Sequence, residues 1–136
     1  MSGLVVKTAC LFPILTTFGS IPDNSYVVLV TRYYPFWVKG LKDLIDEYIP
    51  CLGPPPDLLK EFRTELGRLH NLQKAWNITH YENRYRRQIT HDSKALGKVR
   101  ELKEKAKDQD VYLLCYCKDE RFCHRRILKE LIEELY

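Results

Sequence analysis

Three cysteines and a histidine lie close together near the end of the chain, in the segment CYCKDERFCHRR. Cys115 and Cys117 stand two residues apart, and Cys123 is followed directly by His124 and Arg125. A thiolate is stabilised at the amino-terminal end of a helix, and neighbouring arginines lower the thiol pKa further. The pattern predicts an anion-binding pocket with Cys123 and Cys115 as reactive thiols. In this pocket His124 carries protons, and Arg125 binds a phosphate or an oxyanion.

Two other interpretations of the same residues stay open. One is a zinc site, because thiolates and imidazole are the usual zinc ligands. Its four candidates are Cys115, Cys117, Cys123 and His124. Common structural zinc sites use two separated pairs of ligands, which this spacing lacks, so we expect no metal. The other interpretation is structural, with the cysteines packing as small apolar side chains and the histidine satisfied by hydrogen bonds.

The segment also contains the pattern C-x5-R, from Cys115 to Arg121, which is typical of the phosphate-binding loop of thiol phosphatases. That loop binds phosphate through bare backbone amides. Here the intervening residues include no glycine, and Asp119 and Glu120 bring two negative charges that repel phosphate. The spacing matches the phosphatase pattern, but the residues between Cys115 and Arg121 argue against this enzyme class.

A strand and a helix must position the cluster. The segment VYLLCYC, from Val111, is apolar on both faces, as expected for a central strand of a sheet that is covered on both sides. A final helix follows, with Ile127, Leu128, Leu131, Ile132 and Leu135 on one side. In open α/β sheets, ligands bind where the chain leaves the carboxyl end of a strand and enters a helix.

Two residues outside the cluster are candidates for binding a ligand. Arg32 follows the apolar run YVVLV and precedes the aromatic turn YYPFW, so it stands at the end of a predicted inner strand. The alternative for Arg32 is a structural bond to a carboxylate or to a helix end. Tyr81 and Tyr85 lie four residues apart on a predicted helix, and packing is the favoured interpretation of such a pair.

The other elements predict an α/β fold. Residues 4–11 and 26–34 are predicted strands, and residues 67–77 a connection. LKDLIDEYI predicts a short helix, and further helices begin near Asp57 and at a cap formed by Asp92 and Ser93. We expect a single domain over residues 1–136, a three-layer sandwich in which helices cover a small, mostly parallel sheet.

Composition limits the classes of protein. A chain of 136 residues with 45% hydrophobic and 29% charged residues is typical of one globular domain. No apolar run approaches the roughly 20 residues that span a bilayer, so we expect no membrane partner. The five cysteines are odd in number and three are crowded together, which favours a reducing, cytoplasmic compartment over a disulfide framework.

Charge leaves a second class of partner open. The net charge of +4 is modest, but basic residues outnumber acidic ones between Arg84 and Lys105. This basic stretch, with Trp76 or the tyrosines stacking on bases, is the basis of an alternative hypothesis, a nucleic-acid-binding module. A third hypothesis is an interaction domain without chemistry.

Several segments resemble the DUF488 proteins. LLCYCKDERFCHR is similar to that family's carboxyl-terminal signature, and RYYPFW and IPCLGPPPDLLKEF, with Trp76, Tyr81 and Tyr85, extend the likeness upstream. The resemblance implies a compact α/β sandwich with a shared pocket. Its implied site residues are Arg32, Tyr81, Cys115, Cys123, His124 and Arg125. Cys117 stands where the family often has a glutamate, and the family's function is unassigned.

These observations lead to one main hypothesis. We expect a cytoplasmic protein that binds a phosphorylated small molecule or a nucleotide between Arg32 and the turn that holds Cys123, His124 and Arg125. No cofactor is expected. The sequence leaves open whether the protein is an enzyme, and it leaves its oligomeric state open too.

Overall fold

The computed structural model describes residues 6–10, 24–115 and 119–135. The strands are β1 (Val6–Cys10), β2 (Tyr26–Leu29), β3 (Glu47–Tyr48) and β4 (Val111–Cys115). The helices are α1 (Leu41–Leu44), α2 (Pro56–Leu69), α3 (Leu72–Ile78), α4 (Tyr81–Thr90), α5 (Ser93–Ala106) and α6 (His124–Glu134). Two short 3₁₀ helices, Pro50–Leu52 and Glu120–Phe122, lie before α2 and before α6.

Within the described residues, the strands form one parallel sheet in the order β1-β4-β2-β3. The register pairs Cys10 of β1 with Cys115 of β4, and Leu29 of β2 with Leu114 of β4. The predicted central position of VYLLC is confirmed, because β4 has a neighbour on each side. Since all these strands are parallel, their carboxyl ends share one edge of the sheet.

Both faces of the sheet are covered, which confirms the α/β fold. Val28 of β2 belongs to a large core that includes Tyr85 of α4, Val99 of α5 and Ile127 of α6. The neighbouring residue Leu29 points to the other face, where it packs in a smaller cluster around α1. Successive side chains of a strand point to opposite faces of the sheet. Because both faces of β2 are covered, side chains on both sides enter a core, which explains its uninterrupted apolar run.

Two segments differ from the sequence-based expectation. The predicted connection at residues 67–77 is mostly helical, because α2 continues to Leu69 and α3 begins at Leu72. Asn71 separates the two helices and caps α3, its Oδ1 accepting a hydrogen bond from the Lys74 amide at 2.9 Å. The predicted helix LKDLIDEYI is only one helical turn, since its second half pairs with β2 as β3.

The remaining helices follow the prediction closely. Asp92 caps α5 by accepting hydrogen bonds from the Lys94 and Ala95 amides, at 3.0 and 3.3 Å. The apolar stripes of α5 and α6 face the large core. None of the helices in the described ranges has the length and apolar character that a membrane crossing requires.

Candidate functional site

A pocket of about 290 Å³ opens at the carboxyl edge of the sheet. Thr31 and Arg32, just after β2, lie on its wall together with Cys115 at the end of β4. His124, the first residue of α6, completes this side. The two strand ends meet there because β2 and β4 are parallel neighbours, so the predicted ligand-binding edge does hold a pocket.

Cys115, Cys123 and His124 form a buried cluster at the floor of this pocket and directly behind it. The Sγ atom of Cys115 lies 4.0 Å from Nδ1 of His124, and the Sγ atom of Cys123 lies 3.9 Å from the same nitrogen. All three side chains are buried. Cys115 and His124 line the pocket, and Cys123 lies behind them at the start of α6.

The hydrogen bond on the far side of His124 determines its tautomer. Nε2 lies 2.6 Å from the carbonyl oxygen of Val30, just after β2. A carbonyl oxygen only accepts hydrogen bonds, so Nε2 carries a hydrogen, and when the imidazole is neutral Nδ1 presents its lone pair. That lone pair faces both sulfur atoms.

Arg125 is buried beside the cluster. Its Nη1 lies 3.6 Å from Sγ of Cys123, a distance at which the guanidinium donates a hydrogen bond to sulfur. Only 4% of the residue is exposed, and it lies on the Cys123 side of the cluster and not on the described pocket wall. A positive charge at this position favours the thiolate form of Cys123.

Arg32 contributes positive charge to the pocket wall itself. Its Nε donates to the Pro54 carbonyl at 2.9 Å and its Nη2 to the Gly53 carbonyl at 3.1 Å. Within the described part of the chain, these carbonyls are its hydrogen-bond acceptors, and no carboxylate pairs with it. Of the two structural alternatives for Arg32, a carboxylate partner does not hold among these residues, but the bond to a helix end does, because Gly53 directly follows the 3₁₀ helix Pro50–Leu52. No described carboxylate neutralises the guanidinium at the pocket.

Gly53 is what lets the chain approach Arg32 so closely. A Cβ atom at this position would lie 2.3 Å from the Arg32 amide nitrogen and 2.8 Å from the Thr31 carbonyl carbon. Real Cβ atoms do not approach the backbone so closely, so any side chain at this position would push the two segments apart. The glycine of the GPPP segment is visible in the sequence. Only the close contact with Thr31 and Arg32 shows why a glycine is needed there.

Much of the remaining pocket lining is an apolar and aromatic wall. It is formed by Leu59, Phe62, Leu66, Leu72, Tyr81 and Phe122. The Tyr81 ring stacks on Trp76 with centroids 4.2 Å apart, and Phe62 meets Tyr81 edge-on at 5.1 Å. Tyr81 is therefore held in place by packing and also contributes to the pocket surface.

Tyr85, one turn further along α4, supports the cluster from below. Its hydroxyl donates a hydrogen bond of 2.6 Å to the Leu52 carbonyl, and its ring meets the His124 imidazole edge-on at 5.5 Å. Burial raises the pKa of the Tyr85 hydroxyl well above its ordinary value, and the nearby Cys123 and Cys115 add to this effect. Packing is confirmed as the role of this tyrosine.

Two charged residues of the pocket were not among the predicted ligand-binding residues. Arg63 of α2 is exposed and lines the mouth of the pocket. Asp119 also lines it, but Arg121 holds this carboxylate at 2.9 Å. Hydrogen bonds from Arg121 lower the Asp119 pKa, so the carboxylate is ionised and paired. The side chain of Cys117, the remaining predicted thiol, lies outside the described residues.

Three basic residues of the stretch from Arg84 to Lys105 form ion pairs in the described structure. Arg84 pairs with Glu61, Arg86 with Glu130, and Lys98 with Glu47. Lys103 is buried and donates to the Glu133 carbonyl. These pairs reduce the charge available to a nucleic acid, and the nucleic-acid hypothesis stays a prediction.

A comparison of the sequence with protein-family models identifies the family of this chain. Residues 20–135 match the model of DUF488-N3a, described as the active DUF488-N3 subclade. The chain belongs to the DUF488 family. The comparisons with curated proteins and with solved structures gave no match. The DUF488 membership predicted from LLCYCKDERFCHR is thus confirmed, and the matched range includes every predicted site residue.

Proposed function

We propose that this DUF488 protein binds a phosphorylated small molecule, of the size of a mononucleotide, in the pocket at the carboxyl edge of the sheet, and acts on it with the groups at the pocket floor. The observation that carries the proposal is the Arg32 guanidinium. It stands on the pocket wall with two neutral carbonyls as its acceptors in the described chain, beside the Cys115 thiol and the His124 imidazole.

The anionic end of the ligand is assigned to the Arg32 side. A guanidinium held by carbonyl groups is preorganised and still carries a net charge, so a phosphate gains charge-assisted hydrogen bonds there. Arg63 at the mouth adds a second cation. The amino-terminal end of α6 also favours negative charge near Cys123.

The other end of the ligand is assigned to the aromatic wall. Tyr81, Phe62 and Phe122 present apolar surface within a volume of about 290 Å³. Ligand pockets commonly combine such a wall with a few fixed polar groups, and their volumes begin at roughly 300 Å³. A ring joined to a phosphate, as in a nucleotide, matches both ends.

The reactive groups are Cys115 and His124, with Cys123 and Arg125 behind them. Transfer of the Cys115 proton to Nδ1 of His124 leaves a thiolate on the pocket floor, which is a nucleophile, and an imidazolium, which is an acid. Such thiols require a reducing compartment, and we infer a cytoplasmic location on this ground.

Calorimetric titration with AMP and with inorganic phosphate tests the ligand class. We expect Arg32→Gln to weaken AMP binding by about 10-fold to 100-fold, since one charge-assisted hydrogen-bonding group is lost. Arg68→Gln is the matched control, because Arg68 is exposed on α2 and pairs with Glu65. Equal AMP affinity in the two variants, or no binding of either probe at low salt, overturns the proposal.

Alkylation by iodoacetamide tests whether Cys115 at the pocket floor is reactive. The protein is first treated with a chelator, which removes bound metal ions. We expect modification of Cys115 at near-neutral pH, slowed by AMP in the wild type and not in Arg32→Gln. Mass spectrometry of the digested protein distinguishes Cys115 from Cys51, which is half-buried outside the cluster. An AMP-insensitive rate at Cys115 contradicts the proposed binding mode.

A further inference from the structure

We propose that Cys115, Cys123 and His124 bind one zinc ion at the pocket floor. The Sγ atoms of the two cysteines and Nδ1 of the histidine all lie within 4.8 Å of one another. The ligands come from two elements, with Cys115 at the end of β4 and the other two at the start of α6. This site departs from the sequence-based expectation of no metal, and it goes beyond the proposed function. It keeps the ligand proposed there, but in the zinc-bound protein the metal takes the place of the free Cys115 thiol and His124 imidazole as the reactive group.

The distances are close to those of a zinc site. Tetrahedral zinc with bonds of about 2.3 Å to sulfur and about 2.0 Å to nitrogen holds those ligand atoms roughly 3.6 Å apart. The two sulfur-to-Nδ1 distances here are 4.0 and 3.9 Å. The two sulfurs lie within 4.8 Å of each other, whereas two thiolates on one tetrahedral zinc lie roughly 3.8 Å apart. Side-chain movements of at most about one ångström therefore bring all three atoms to bonding distance.

The orientation of His124 is that of a metal ligand. Its Nε2–H donates to the Val30 carbonyl at 2.6 Å, which directs the lone pair of Nδ1 toward the two sulfurs. Histidines that bind zinc usually donate their other ring hydrogen to a carbonyl or a carboxylate, which fixes the tautomer in the same way. Simple packing of two thiols against an imidazole does not require this orientation.

The charges around the cluster also suit a thiolate site. Two thiolates balance the charge of Zn²⁺, so the buried centre is neutral as a whole. The Arg125 guanidinium, with Nη1 3.6 Å from Sγ of Cys123, donates to one of those sulfurs from outside the cluster. Thiolate and imidazole together select zinc over magnesium or calcium, which prefer oxygen ligands.

The location of the site connects it with the pocket. Cys115 and His124 both line the cavity that also contains Arg32. A metal ion held by them lies within reach of a molecule bound against Arg32. If the proposed function holds, the ion is positioned to bind an oxygen of that molecule or to activate a water beside it.

Metal content and cobalt spectra test the proposal on the full chain. After dialysis, we expect about one zinc per chain by elemental analysis. Titration of chelator-treated protein with Co²⁺ should give the near-ultraviolet thiolate-to-cobalt absorption band. Cys115→Ser, Cys123→Ser and His124→Gln should each weaken zinc binding by at least about 100-fold. Cys51→Ser, which alters a thiol outside the cluster, should bind as the wild type does.

A measurement on the wild type guards against variants that fail to fold. Zn²⁺ added to chelator-treated protein should slow alkylation of Cys115 and Cys123 together and leave Cys51 unchanged. Absence of this protection, or cobalt spectra without a thiolate band, overturns the zinc site. AMP titrations on the chelator-treated protein are independent of the metal, so failure of the zinc site and failure of the proposed ligand are separate results.

Discussion

Arginines serve opposite purposes in two regions of this molecule. On the surface between α4 and α6, Arg126 donates to Glu82 at 2.9 Å and to Glu130 at 2.8 Å, and Arg86 binds the same two carboxylates. At the pocket, Arg32 donates to two backbone carbonyls. The first arrangement cancels charge and holds two helices together. The second keeps the positive charge and places it beside a cavity. The hydrogen-bond partners of an arginine are therefore a better guide to its role than its position in the sequence.

The largest expected effect is at Gly53, whose missing side chain allows Arg32 to reach its carbonyls. We expect Gly53→Ala to destabilise the fold by about 1–3 kcal/mol, because a Cβ 2.3 Å from the Arg32 amide nitrogen forces the backbone apart. AMP affinity should fall with it. Chemical denaturation and calorimetry measure the two effects.

Gly67→Ala is the matched control for this substitution. Gly67 lies inside α2, and nothing is within 4 Å of the Cβ that alanine would add. Alanine should stabilise the helix by about 0.5–1 kcal/mol, since it has the higher helix propensity. Similar stability changes in both variants would contradict the close contact at Gly53.

A smaller effect is expected at Tyr85, beneath the cluster. Tyr85→Phe leaves the buried Leu52 carbonyl without its 2.6 Å hydrogen bond, which should cost about 1–1.5 kcal/mol of unfolding free energy. Tyr33→Phe, at a residue that is 52% exposed, should change the unfolding free energy by less than about 0.5 kcal/mol. Equal losses in the two variants would show that the buried bond contributes nothing specific.

The pH dependence of Tyr85 has a definite sign. Burial raises its folded-state pKa, so the hydroxyl stays protonated in the folded chain after it ionises in the unfolded chain. The stability contribution is therefore present below the unfolded pKa of about 10 and is lost as the pH rises above it. Tyr85→Phe should lose less stability than the wild type over that range.

The smallest expected effect is in the α4–α6 ion-pair network. Partial burial alone raises the Glu82 pKa, but hydrogen bonds from Arg126 and Arg86 outweigh it and lower the pKa overall. The resulting stabilisation is present above the unfolded pKa of about 4.3 and is lost as the pH falls below it. Glu82→Gln should cost less than about 1 kcal/mol at pH 7, because these side chains are partly exposed to solvent.

Acid denaturation of this variant tests the sign. The difference between Glu82→Gln and the wild type should shrink as the pH approaches about 3, where the wild-type carboxylate is protonated. Glu104→Gln, which removes only the exposed pair with Lys107, should show a smaller difference at every pH. A difference that grows toward acid pH would contradict the lowered Glu82 pKa.

The elements that could be predicted were those with strong local signals. The Asp92 cap of α5 and the apolar stripe of α6 are local patterns, and both helices form where these patterns indicate. β3 could not be predicted, since Glu47 and Tyr48 become a strand only by pairing with Val28 and Leu29 of β2. The Asn71 cap of α3 is a local signal in the sequence, and the predicted connection at residues 67–77 does not account for it.

The residue types of the sequence predicted which side chains lie near one another at the carboxyl edge of the sheet. The turn with Cys123 and His124, the end of β4 with Cys115, and Arg32 are brought to one edge of the sheet. The prediction did not separate residues that line the pocket from those behind it. Cys115 and His124 form the floor, whereas Cys123 and Arg125 lie deeper, and this order depends on the register of β4 and the position of α6.

By itself, the sequence determined the α/β class, the central strand, the final helix and the group of thiol, imidazole and guanidinium side chains near its start. Periodicity and residue chemistry are local properties, so they can be read along the chain. Only the tertiary structure decided that Val30 orients the His124 ring, that Gly53 and Pro54 hold Arg32, and that Tyr81 lines a cavity. These contacts join segments far apart in the chain, and their distances follow from the packing of the whole sheet and its helices.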